Sequence, residues 1–165
     1  MSEGKPESDD DFKLIPVPNT LAAKVKKRKG SLDDLLANAE TMLGGMKNDF
    51  EALIDDVIAR LPGIQAGPWS DPARRPAAVD EFASTANTIK GKSGSFGYGV
   101  LGEVADLFVE YVRDTPPGEQ QAVAIANYIG TLQLLWKQRI SGDGGALGRQ
   151  IVADLTRLNT KAKTS

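Results

Sequence analysis

Residues 86–97 read Ala-Asn-Thr-Ile-Lys-Gly-Lys-Ser-Gly-Ser-Phe-Gly, and two incompatible folds compete for them. Ala86, four residues, and then Gly91-Lys92-Ser93 satisfy the looser form of a Walker phosphate loop. Such a loop works only between a strand and a helix, where its backbone amides turn toward phosphate. The preceding residues argue against the strand. Val79, Phe82, Ala83, Ala86 and Ile89 fall on one face of a 3.6-residue period, with Asp80-Glu81 near the start. No hydrophobic strand ending in a magnesium-binding Asp is evident elsewhere. The helical reading is therefore the better one: a helix that starts near Pro72–Pro76 and is loosened at its end by Gly94 and Gly97.

Working outward, the same period continues on both sides. From Ser31, read as an N-cap with Asp33 and Asp34 in the first turn, apolar residues recur from Leu32 through Leu35, Leu36, Leu43, Phe50 and Ile54 to Leu61. Gly44-Gly45 interrupts this stripe without shifting its phase. Pro62-Gly63 is the expected stop, followed by a loop over 63–72. A third helix carries Leu101, Val104, Ala105, Phe108, Tyr111 and Val112 and stops before Pro116-Pro117. A fourth, from about Pro117 to Ile140, places Ala122, Ile125, Ala126, Ile129, Leu132, Trp136 and Ile140 inward. SGDGG at 141–145 breaks the chain before a last helix with Leu147, Ile151, Leu155 and Leu158. No segment alternates with period two. The expected fold is an all-α, up-and-down helical bundle over residues 31–165, because short polar loops make neighbouring helices antiparallel. Its expected core is Leu35, Leu36, Leu43, Phe50, Ile54, Phe82, Ile89, Leu101, Phe108, Ile129 and Trp136.

Residues 1–30 read as an N-terminal arm, partly disordered. Glu7 and Asp9 to Asp11 are acidic, Leu14-Ile15-Pro16-Val17-Pro18 is extended, and the segment Lys24–Lys29 holds five basic residues in six. That basic cluster could meet nucleic acid or another polyanion. The plainer reading is a solvated arm balanced by its own acidic run.

Composition removes whole classes of chemistry. The 165 residues include no Cys and no His, which excludes disulfides, thiolate nucleophiles, Cys/His zinc sites and every imidazole-based triad. Only carboxylates could hold a metal, and neither a metal nor a cofactor is expected. With 20 basic and 22 acidic residues, no bulk attraction to nucleic acid or an anionic membrane follows. No apolar run reaches transmembrane length, and the acidic N-terminus is not a signal peptide. A cytoplasmic protein is expected.

The run from Asn87 to Tyr98, followed by Leu101, resembles the signature of histidine-containing phosphotransfer (HPt) domains. Ile89, Lys90, Gly91, Ser93, Gly97 and Leu101 match that signature in register. The GDGG break also looks like a bacterial subgroup of these proteins. The resemblance implies a helical bundle, a phosphorelay or two-component signalling role, and a receiver domain or histidine kinase as partner. It also implies roles for two residues: Lys90 would supply positive charge beside a phosphoryl group, and Gly91 would let the partner approach.

One departure changes the implied chemistry. The family's phosphoacceptor His is Asn87 here. A carboxamide nitrogen has its lone pair delocalised into the carbonyl, whereas neutral imidazole keeps a free ring nitrogen. No catalytic residue is therefore expected, and the protein is not expected to be an enzyme. Asn87, Lys90 and Gly91 share one helix face, about 100° from the apolar stripe, with Ser84 and Gly94 on the same side. The expected function is partner binding without phosphotransfer. Three alternatives stand beside it: an authentic phosphotransfer protein whose His has been replaced by Asn, a nucleotide-binding protein using Ala86–Ser93, and an interaction protein acting mainly through the arm.

Overall fold

A computed structural model describes residues 29–116 and 121–164. The expected arm lies outside them except for its last two residues. So do the connection at 117–120 and Ser165. The described residues are helical with no strand: α1 (Lys29–Ala66), α2 (Arg75–Ser93), α3 (Gly99–Asp114), α4 (Gln121–Lys137) and α5 (Gly145–Thr164), with 3-10 turns at Pro68–Ser70 and Gly94–Phe96. The chain divides into two compact units between Met46 and Lys47.

In the first unit, the helix is continuous through Ser31 and Gly44-Gly45. Ser31 is thus inside the helix rather than its cap. Every described side chain from Ser31 to Met46 is exposed. Leu35, Leu36 and Leu43 are 64%, 57% and 64% exposed, so the expectation that they belong to the core is wrong. A helical period identifies an apolar face, but it does not say what covers that face.

The second unit is an all-α bundle with its own core. Phe50, Ile54, Phe82, Ile89, Leu101, Phe108, Ile129 and Trp136 are all buried, as expected. Aromatic rings form much of this interior. Phe82 packs against Phe108, and Phe108 stacks on Tyr128 at 5.0 Å. Phe50 stacks on Phe96 at 4.4 Å and meets Trp136 edge-on. Such pairs add specific geometry to the burial of large apolar surfaces.

Three expectations about the helices need correction. Pro62 does not end α1, which continues to Ala66. Proline removes one backbone donor, but Leu61 and Ile64 on either side are buried and hold the segment in place. The expected loop is consequently shorter, and its 3-10 turn buries Trp69. Ala126 is exposed, because α4 turns Ile125, Tyr128, Ile129, Leu132, Leu135 and Trp136 inward. Leu147 is exposed because the inward face of α5 is set by Gly148, Leu155 and Asn159.

The end of α3 follows its sequence closely. Thr115 is extended (φ −106°, ψ 127°), as a residue before proline must be. A buried polar link then joins three helices. The Tyr128 hydroxyl donates to Asn159 Oδ1 at 2.6 Å, and Asn159 Nδ2 donates to the Leu107 carbonyl at 3.0 Å and to Glu110 Oε1 at 3.2 Å. Burial pushes the Tyr128 phenol well above its ordinary value of 10.0, so it stays a donor.

Candidate functional site

Helix α2 positions the residues singled out in the sequence. Its approach is an Asx turn, in which Asp71 Oδ1 accepts the Ala73 N–H at 3.0 Å. Pro76 then lies in the first turn, where its missing N–H costs nothing. Ala78, Phe82, Ala83, Thr85, Ala86, Ile89 and Ser93 are buried. The adjoining face carries Ser84, Asn87, Lys90 and Gly91, all exposed, and Gly94 is exposed in the turn that follows. The five residues expected to share a side are therefore all at the surface.

The end of the helix is closed by backbone geometry. Gly97 adopts φ +87°, a conformation that suits glycine. The Tyr98 N–H donates to the Ser93 carbonyl at 2.9 Å. Ser93 is fully buried and donates its hydroxyl to the Ile89 carbonyl at 2.6 Å. The loop is then tied to the SGDGG break: the Gly142 N–H donates to the Gly97 carbonyl and the Val100 N–H to the Gly142 carbonyl, both at 2.7 Å. Two glycine-rich segments far apart in sequence thus brace the same end of α2.

Two residues that sequence reasoning did not single out complete the site. Gly102 of α3 lies against the end of α2: an added Cβ would be 3.5 Å from both the Lys90 carbonyl oxygen and Ser93 Cβ. Asp106, one turn further along α3, forms an ion pair with Lys90 at 2.9 Å. A glycine and an aspartate four apart on a helix face give no distinctive signal until the neighbouring helix is known.

Chemically, the site is an exposed face that carries two lysines and, at position 87, a carboxamide in place of an imidazole. Lys90 and Lys92 lie in the last turn of α2, where positive charge suits the negative end of the helix dipole. Asn87 makes no side-chain hydrogen bond among the described residues and presents its carboxamide to solvent. Around Gly91, an added Cβ would meet nothing within 4 Å. The Ala86–Ser93 amides lie within a helix and so are not turned outward as a phosphate cradle requires. A separate cleft of about 690 Å³ is lined by Asp55, Ile58, Trp136 and Arg139 among others. Three of its lining residues already engage one another: the Trp136 indole donates to Asp55 at 2.6 Å, and the Arg139 guanidinium lies 3.7 Å over the Trp136 ring.

Among the described residues, no group of three or more acidic side chains could hold a metal ion, and no helix is long and apolar enough to cross a membrane. Comparisons with family models, with curated proteins and with solved structures find no match to this chain.

Proposed function

We propose that this chain is a cytoplasmic signalling module of bacterial two-component type. In this reading it docks a response-regulator receiver domain or a histidine kinase through the exposed face of α2 and carries no phosphoryl group itself. The observation that supports this best is the placement of Ser84, Asn87, Lys90, Gly91 and Gly94 on one open face of a braced helix end. The resemblance to HPt domains gives roles to the positions of Asn87, Lys90 and Gly91, and Ser84 and Gly94 join them by lying on the same side of the helix.

Each residue has a distinct role in this reading. Gly91 leaves room for a partner backbone or loop to reach the helix. Lys90 offers a cation to an acidic receiver pocket. Asn87 occupies the acceptor position, where it can donate or accept a hydrogen bond but cannot displace a phosphoryl group. Such a module would compete with an active phosphotransfer protein for the same surface. Signalling contacts of this kind are small, toward or below roughly 1,200 Å² in total, so affinity in the micromolar range is expected.

The test is a binding titration of the purified chain against the receiver domains and kinases of its own cell, followed by incubation with phosphorylated partners. Saturable binding that Gly91→Leu abolishes, with no phosphoryl transfer to the unmodified chain, is the expected result. Absence of binding to every receiver and kinase tested would overturn the reading.

A further inference from the structure

The first unit carries an apolar surface that docking through α2 does not use. Leu32, Leu35, Leu36, Met42, Leu43 and Met46 are each more than half exposed. With Ala39 between them they recur at steps of three and four residues: Leu32, Leu36, Ala39, Leu43 and Met46 form the seam, and Leu35 and Met42 broaden it. This is a 3.5-residue repeat sustained over two heptads, the pattern of a helix that packs lengthwise against another helix. Helices in water owe most of their stability to packing an amphipathic face, and Gly44 and Gly45 weaken an uncovered one further.

We propose that this stripe is the interface with a second copy of the same chain, the two α1 segments lying antiparallel. Area favours a real contact. Six long apolar side chains exposed to this degree offer on the order of 600 Å² per chain. Two chains would then bury on the order of 1,200 Å², the low end of specific interfaces and more than a scattered surface apolar residue explains.

Charge favours the antiparallel arrangement. Asp33 and Asp34 flank the start of the stripe, and Lys47 follows its end, two heptads beyond Asp33 and so on the same flank. Antiparallel pairing with Leu36 opposite the partner's Met46 brings each Asp33 near the partner's Lys47. Parallel pairing would instead set Lys47 opposite the partner's Met42, with no acidic side chain across the seam from it. Glu40 falls near the two-fold axis, at the exposed rim, where a like-charge contact costs little in water.

Sedimentation velocity on the full chain, with and without the pair Leu36→Glu and Leu43→Glu, tests the interface. The unmodified chain is expected to sediment as a dimer at micromolar concentration. The double variant should keep its helical circular dichroism and dissociate at least tenfold more readily. A monomeric full chain overturns the proposal, including the case where its own Leu14–Val17 segment covers the stripe. A dimer indifferent to the double substitution overturns it equally. Orientation is read by disulfides, since the chain has no cysteine of its own. A mixture of Leu36→Cys and Met46→Cys chains should crosslink under mild oxidation. Self-crosslinking of Leu36→Cys without crosslinking in the mixture would show a parallel pair and overturn the proposed arrangement. Partner binding through α2 is measured separately, so either proposal can fail without the other.

Discussion

Lys90 Nζ lies 2.9 Å from Asp106 Oδ1, so a cation one turn beyond Asn87 is tied to the neighbouring helix. Both side chains are about half exposed, and a solvated pair of this kind adds no more than about 1 kcal/mol to stability. Its consequence is positional: the ammonium is held over the α2–α3 contact. Asp106→Ala should therefore leave the urea midpoint nearly unchanged while tightening association with an acidic receiver, because a competing anion is removed. Lys90→Ala should weaken association by up to about fivefold, the size of one surface ion pair, and flatten its salt dependence. Isothermal titration at two ionic strengths checks both; equal salt dependence in all three proteins would show that Lys90 does not face the partner.

Gly91 separates docking from folding. A side chain there meets no neighbour within 4 Å, and within a helix leucine is better tolerated than glycine by roughly 0.5–1 kcal/mol. Gly91→Leu should thus unfold at the same or a slightly higher denaturant concentration, yet lose partner binding through steric conflict. The contrast is Gly148, where an added Cβ would fall on the Asp143 carbonyl. Gly148→Ala should destabilise the chain, since the Asp143–Gly145 turn would have to move. Chemical denaturation of the two variants side by side measures this difference.

Phe82 is fully buried between Trp69 and Phe108. Phe82→Ala should cost about 3–5 kcal/mol, the usual range for deleting a buried aromatic side chain. A loss below about 1 kcal/mol in urea unfolding would mean that the site is not enclosed as described.

How far the sequence was readable follows from what each signal encodes. Period alone located α2 and α3 and put Phe82, Ile89, Leu101 and Phe108 inside, because both helices bury a single face within one unit. The same period misplaced Leu35, Leu36 and Leu43, since it cannot distinguish a face covered by the chain's own core from one left open. Pro62 misled for a different reason: the burial of Leu61 and Ile64 outweighs one missing hydrogen bond. For the site, Ser84, Asn87, Lys90, Gly91 and Gly94 could be placed on one side from helix geometry. The bracing of Gly97 by Gly142 and the closeness of Gly102 to Lys90 are long-range contacts with no local pattern.

Glu110 gives the stability a pH dependence of known sign. Its hydrogen bond from Lys163 at 2.6 Å, and then that from Asn159, hold its carboxyl below the ordinary value of 4.5. A carboxylate whose folded pKa is depressed contributes stability that is present above the unfolded pKa and lost as pH falls through the folded one. The chain should accordingly lose stability as the pH drops below about 4.5, and Glu110→Gln should remove part of that slope while lowering stability at pH 7. The pair is partly exposed, so salt should reduce the effect. Thermal unfolding of both proteins from pH 7 to pH 3 measures it; identical slopes would show that Glu110 is not a linked group.

Asn87→His tests whether only the nucleophile is missing. The side chain at 87 projects into solvent from the braced end of α2, so imidazole fits there without disturbing Ala86 or Ile89 beneath. In its neutral form a ring nitrogen can attack the phosphorus of a receiver's aspartyl phosphate. An N–P bond forms, the P–O bond to the aspartate breaks, and the carboxylate leaves with the electron pair. Lys90, three residues on, is placed to offset the charge of the transferred group. The expected outcome is that Asn87→His becomes radiolabelled by a phosphorylated partner, with a label that is acid-labile and alkali-stable, whereas the unmodified chain takes up none. Lys90→Ala in the His background should slow labelling more than it weakens binding, because its charge acts on the phosphoryl group in flight. A variant that binds its partner but accepts no label would mean that the site has diverged beyond one residue and that docking alone is its function. Labelling of the unmodified chain would place a nucleophile somewhere other than position 87 and refute the proposed role of Asn87.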